Sequence, residues 1–348
     1  MSEFKVDAIT NRDGSYGPQV CGITTFRSSG VTLPSGPTEM RGGRGRAIFA
    51  GGYEAPSNAR EIQFVTISTK GNGQDFGDMS VTRRECAGAS NSTRAVIAGG
   101  TGPITDIVEY VVMSSGGGAN DFGNLSANRR AFSGSGDDTR GLFFGGNNPT
   151  ATGVIEFVNF ASTGGVNSFG ALGVECGRGT SNGAFNCDDN GSFSSPTRAF
   201  VFGSGDTSNV IQFVTISTLG DSQNFGDLTE RVRYCSGLSS STRGVRGGGK
   251  TPSAEVDTMD FVTMATEGNA TDFGNLTDAR NQLGAASSKI RGIFAGGYDQ
   301  PVAINIIDYI QIATTGNATD FGDLTFSDLS NGAARGPVGC SDVNGGLI

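Results

Sequence analysis

Short apolar runs stopped by glycine pairs recur along the chain, and each is followed by a segment in which apolar and polar positions alternate. The runs lie at 46–52, 94–100, 140–146 and 291–297, with looser versions at 198–205 and 243–249 where Arg or Ser intrudes. An apolar run that ends in a Gly pair predicts a buried strand closing in a tight turn. The alternating segments are Ile62-Gln63-Phe64-Val65, Val108-Glu109-Tyr110-Val111, Ile155-Glu156-Phe157-Val158, Ile211-Gln212-Phe213-Val214, Met259-Asp260-Phe261-Val262 and Ile307-Asp308-Tyr309-Ile310. Alternation with β-branched and aromatic residues predicts a strand with one face buried. Its aromatic, on the polar side of the alternation, is expected to pack against a neighbouring sheet.

A third recurring piece is an Asp-Phe-Gly-Asp-Leu-like pentad whose phenylalanines are Phe76, Phe122, Phe169, Phe225, Phe273 and Phe321. Phe between turn-forming residues is read as a ring that plugs a gap between sheets while Asp and Gly shape a loop. A fourth segment, such as Leu276–Arg280 running on to Gly284-Ala-Ala-Ser287, returns the chain to the next Arg-Gly start. Each unit therefore holds about four short strands, and nothing in the chain has helical periodicity. The pattern predicts an all-β array.

The pentad phenylalanines are separated by 46, 47, 56, 48 and 48 residues, so six units share nearly one length and the third carries an insertion. A repeat of four strands in that length matches a propeller blade. The ends of the chain bear on closure. The array begins at Arg46 without a preceding pentad and ends, after the sixth pentad, with a leftover segment at 324–342. A blade completed by strands from both ends accounts for both leftovers, whereas a solenoid needs polar caps. The expected architecture is a six-bladed β-propeller over 41–348, preceded by an extended N-terminal arm at 1–40.

The Gly pair after an apolar strand, the acidic-aromatic strand and the aromatic-Leu-Arg segment that follows resemble the kelch repeat over roughly residues 40–345. The Phe of the pentad stands where the kelch blade usually has Trp. The first forty residues are of another kind: Phe4-Lys-Val-Asp-Ala-Ile-Thr-Asn-Arg-Asp-Gly-Ser15, then a Gly/Ser/Thr-rich stretch at 22–36. They look like the N-terminal arms of tail-fibre and other structural proteins of marine tailed bacteriophages. That resemblance implies an arm that docks on other virion proteins and a ring that projects.

Composition narrows the function classes. Of 348 residues 57 are glycine, but they recur at fixed places in each unit and read as turns and close strand contacts rather than as low complexity. A net charge of −9 argues against a nucleic-acid partner, which demands clustered Lys and Arg. Only four of the 25 basic residues are lysine, so arginine is preferred for fixed, hydrogen-bonded positions. The chain has no histidine, which removes the commonest general base and most zinc sites. Its six cysteines are spread without a CxxC pair, favouring buried thiols, although Cys176 and Cys187 could cross-link the insertion. The first ten residues lack the apolar region of a signal peptide, and no stretch of about 18 apolar residues offers a membrane span. No cofactor or metal is expected.

Two residue sets stand out. Arg46, Arg94, Arg140, Arg198, Arg243 and Arg291 open the apolar runs; they could ring a central channel and bind an anionic sugar, or pair with carboxylates and satisfy loop carbonyls. The insertion in the third unit, 176–193, breaks the symmetry, and long loops on rigid β scaffolds commonly carry recognition. Asn182, Phe185, Asp188, Asp189 and Phe193 are its candidate contact residues. Asp188-Asp-Asn-Gly has a calcium-loop flavour without the spaced Glu such a loop needs, so a plain turn is the better reading. Carboxylates recur throughout the pentads (Asp75, Asp121, Asp227, Asp272, Asp320), which argues against a unique catalytic pair.

The resulting expectation is a non-enzymatic structural virion protein of a tailed phage, a tail or capsid appendage assembled in the host cytoplasm as a homo-oligomer. It would contact virion proteins through its arm and a host-surface glycan or protein through its ring. The alternatives are a cellular kelch-type protein- or glycan-binding module and, third, a glycan hydrolase.

Overall fold

A computed structural model describes residues 45–173, 187–329, 331–343 and 346–347. The expected arm, Cys176, Asn182 and Phe185 lie outside the described residues.

Six four-stranded antiparallel sheets, with no helix among the described residues, form a six-bladed β-propeller. Blade one runs outward from the axis as Val338–Ser341, Arg46–Ala50, Glu61–Thr66 and Gln74–Asp78. Its innermost strand thus comes from the far end of the chain, with Ala47 opposite Ser341 and Ala50 opposite Val338. The ring is closed by hydrogen bonds in the way the two leftover segments implied. The inner strands of blades two to six are Ala87–Ser90, Ser133–Gly136, Gly191–Ser194, Ser236–Ser239 and Gly284–Ser287, each touching its neighbours around the axis. Small residues are required there: a Cβ at Gly134 would come 2.7 Å from the Gly88 carbonyl oxygen of the adjacent blade.

The core lies between blades. Ile48, Ile62 and Phe76 of blade one pack on Ala95, Ile97 and Val111 of blade two, and equivalent clusters fill the other gaps. Both faces of every sheet are therefore covered, which corrects the expectation of one buried face. The polar position of the alternating strand is as deeply buried as the apolar core: Gln63 and Asp308 are 0 % exposed and Glu109 and Asp260 1 %. Burying a carboxylate there is tolerable only with a cation beside it. Arg83 pairs with Glu109, Arg129 with Glu156, and Arg280 with Asp308 at 3.0 Å.

The pentad is the outermost strand of each blade rather than a loop, as in Gln74–Asp78 and Asn120–Asn124. The strand reading was hidden by a β-bulge, which shifts register between Ile62 and Gln63 opposite Gly77 and recurs in each blade. All six pentad rings are buried, and each meets the aromatic of the alternating strand edge-on with centroids near 6 Å, Phe64 and Phe76 at 6.1 Å for example. Each pentad Phe carbonyl also accepts a backbone hydrogen bond from a glycine of the next blade, from Gly117 to Phe76 at 2.6 Å round to Gly71 and Phe321 at 3.0 Å. These six bonds tie the outer rim into a belt.

Candidate functional site at the channel mouth

Each inner strand is entered through one residue in the left-handed region: Glu85 (φ 55°), Ala131 (57°), Asp189 (55°), Tyr234 (54°), Gln282 (53°) and Gly336 (68°). Five of the six are not glycine, and each costs on the order of 1 kcal/mol in this conformation. A closed circuit of backbone hydrogen bonds holds them there. Ala131 N–H donates to Glu85 O at 3.0 Å, Asp189 to Ala131 at 2.7 Å, Tyr234 to Asp189 at 2.7 Å and Gln282 to Tyr234 at 2.8 Å. Gly336 then donates to Gln282 at 2.7 Å and Glu85 to Gly336 at 3.3 Å, completing the ring. All six residues line one end of the axial channel, a cavity of about 140 Å³.

The residue before each ring member carries most of the charge at this mouth: Arg84, Arg130, Asp188, Arg233, Asn281 and Arg335. Glu85 accepts from Arg130 at 2.7 Å and from Arg84 at 3.4 Å. Arg84 also donates to Asn58 Oδ1 at 2.7 Å and lies 4.3 Å over the Tyr53 ring. Arg335 continues the chain of contacts, 5.0 Å over Tyr53 and 4.8 Å over Tyr298. Across the channel the Tyr234 hydroxyl donates to the Asp189 carboxyl. Burial, with Asp188 next to it, pushes Asp189 up to about 8, and burial likewise raises Tyr234. Arg233 lies 5.1 Å over the Tyr234 ring and donates to Gly205 O at 3.2 Å.

The other end of the channel, a cavity of about 50 Å³, is built from hydroxyls. Ser341 donates to Ser287 O, Ser287 to Ser239 O, Ser239 to Ser194 O, Ser194 to Gly136 O and Ser90 to Ser341 O, all at 2.7 or 2.8 Å. Gly136 is the one position without a hydroxyl, and Gly346 lies against its carbonyl.

The arginines that open the apolar runs sit near this serine end and do not line the channel cavities. Each reaches across to the next blade and donates to a backbone carbonyl: Arg46 to Met113, Arg94 to Phe160, Arg140 to Ile216, Arg198 to Met264, Arg243 to Ile312 and Arg291 to Ile67. Each guanidinium also covers the aromatic of its own alternating strand at 4.2–4.9 Å. They staple blades through carbonyls and rings, not through carboxylates. Of the insertion residues, Asp189 faces the channel, and Asp188 Oδ2 accepts from Asn147 at 2.9 Å. Phe193 belongs to the inner strand of blade four and is 4 % exposed, its ring 5.3 Å from Phe200 and 4.9 Å from Phe202. It is a core residue and drops out as a contact candidate. Cys86, Cys235 and Cys340 are buried free thiols.

Sequence reading missed the left-handed ring because six unlike residues occupy it. The available signal was positional: Arg-Arg-Glu-Cys at 83–86 and Arg-Arg-Ala-Phe at 129–132 stand at the same offset before an inner strand. Chemically, the mouth is a rigid rim of fixed cations, tyrosines and three carboxyl groups, those of Glu85, Asp188 and Asp189. Among the described residues no three Asp, Glu, Cys or His side chains gather as a metal would require. No protein-family model matches the chain, and no curated protein matches it in sequence.

Proposed function

We propose that this chain is a structural protein of a tailed-phage particle, with a kelch-like ring anchored by residues 1–40 and a contact face directed away from the anchor. The observation that carries this reading is that the described residues flanking two segments, 45–46 and 173 with 188–189, lie on opposite faces of the ring. The chain joins the propeller at Gly45–Arg46, beside Asp342 on the serine face, where Arg46 N–H donates to Asp342 Oδ1 at 2.9 Å. The long third-unit insertion leaves at Gly173 and returns at Asp188, on the face of the left-handed ring. Attachment points on opposite faces suit a knob that docks by one side and touches a surface with the other. The reading requires no reaction.

The test is mass spectrometry of density-purified particles from infected cells, alongside a chain lacking residues 1–40. The full chain is expected in the particles and the shortened chain in the lysate only. A chain present in lysate and absent from particles would overturn the proposal and favour a cellular kelch-type binding module.

A further inference from the structure

Arg335 is the exception among the four mouth arginines. Arg84 and Arg130 are spent on Glu85, and Arg233 on the Gly205 carbonyl. Among the described residues the Arg335 side chain has no hydrogen-bond acceptor: its Nε is buried without a partner, and the residue as a whole is half-buried. Its position is nevertheless tightly fixed. Its backbone pairs with Tyr53 in both directions, at 3.0 and 3.1 Å, and its guanidinium is held by the Tyr53 and Tyr298 rings. Those tyrosines begin twin hairpins, Tyr53–Glu54 with Ser57–Asn58 and Tyr298–Asp299 with Val302–Ala303, which only blades one and six carry among the described residues.

A guanidinium that is oriented by two rings while its fork of donors stays unspent is preorganised for a planar oxyanion. Among the described residues neither tyrosine hydroxyl has a hydrogen-bond partner, so the two rings that hold the guanidinium each carry a neutral group free to bond a ligand. We propose that Arg335, between the Tyr53 and Tyr298 hairpins, is an oxyanion subsite that takes the carboxylate of an acidic sugar. The carboxylate accepts from the Arg335 fork, and the sugar hydroxyls bond the two phenols. This site is separate from the six blade-stapling arginines, and it stands or falls independently of whether the chain is found in phage particles.

The test is titration of the purified full chain with sodium D-glucuronate, read by saturation-transfer NMR, with D-glucose and sodium acetate as comparison probes. Glucuronate is expected to bind saturably, with glucose and acetate each at least about tenfold weaker. Arg335→Ala is expected to weaken glucuronate by about tenfold or more, the scale of a charge-assisted hydrogen bond. Arg60→Ala, which removes a cation on the outer rim paired with Asp78 at 3.6 Å, should change nothing. Should Arg335→Ala fail to fold, Arg335→Lys keeps the charge without the planar fork and is expected to lose binding too. Wild-type affinity in either Arg335 variant, equal loss in Arg60→Ala, or acetate binding as tightly as glucuronate would each overturn the assignment.

Discussion

Arg246 meets the Asp260 carboxylate at 2.5 Å in blade five, from a strand position that Phe49, Ile97, Phe143, Val201 and Phe294 hold in the other blades. In blades two, three and six the buried cation comes from the loop before the inner strand, as Arg83, Arg129 and Arg280. Blade five has Val232 at that loop position, and Arg246 arrives instead from the strand beside Asp260, where the two residues are register partners. Blades one and four have Ala334 and Cys187 there, and their alternating strands carry the neutral Gln63 and Gln212 in place of an acid. At this position each blade thus holds either an ion pair or a neutral side chain. This follows from the several kcal/mol that an uncompensated buried ion costs.

Breaking one pair should therefore cost far more than neutralising both partners. Arg280→Ala leaves Asp308 buried and is expected to destabilise by about 3–5 kcal/mol in urea unfolding. Adding Asp308→Asn, which imitates the neutral blades, should recover at least about half of that loss. A double variant no more stable than Arg280→Ala would show that charge balance is not what couples the two positions.

The pentad glycine can be tested against a matched control. Gly226 and Gly268 have nearly the same φ, +154° and +155°, but a Cβ at Gly226 would collide with the Gly268 carbonyl, whereas a Cβ at Gly268 would meet nothing within 4 Å. Gly268→Ala should show the backbone cost alone, on the order of 1 kcal/mol. Gly226→Ala should lose about 1–3 kcal/mol more, as overpacking does. Equal melting temperatures for the two variants would remove the pentad from the inter-blade contact.

Blade number and ring closure were legible because both are set by spacing: the pentad repeats, and a strand missing at one end appears at the other. Which face of a strand is buried was not legible. Gln63 and Glu109 look like solvent-facing positions until the sheets on both sides are in place, and their partners lie elsewhere in the chain. The pentad was misread for a local reason, since its Asp and Gly are turn-forming residues that here make a bulged outer strand. The mouth was hidden because a left-handed backbone held by a neighbour's carbonyl imposes no residue type, so Glu85, Ala131 and Tyr234 share a role without sharing chemistry. Arg335 was invisible because its isolation depends on which acceptors its counterparts already use.

The closing strand provides a thiol reporter. Cys340 lies opposite Ile48 in the joint that closes the ring, while Cys235 precedes the inner strand of blade five. Burial pushes both thiols up to about 12, so neither presents a thiolate at pH 8 in the native state. Val338–Ser341 is covalently continuous with no other strand of its own blade, and it should be the first element to separate. Iodoacetamide labelling across a urea series, read by mass spectrometry, is expected to modify Cys340 at lower urea than Cys235. Coincident labelling would mean that the ring opens only on global unfolding.

Asp189 should make the channel mouth pH-sensitive. Its carboxyl is raised to about 8, first by burial and then by the neighbouring Asp188, with Glu85 adding to the rise and Arg233 and the Tyr234 hydrogen bond opposing it. The unfolded chain releases this proton near pH 4, so between about pH 4 and pH 8 the folded protein holds a proton that the unfolded protein has lost. Stability from this group is then fully present below about pH 4 and falls as pH rises to about 8. Asp189→Asn keeps the shape, retains an acceptor for the Tyr234 hydroxyl and removes the titration. The variant is expected to melt close to wild type at pH 5 and clearly above it at pH 8, with the gap opening steadily between. A gap that stays constant across that range, or one that opens toward acid, would place the Asp189 proton elsewhere.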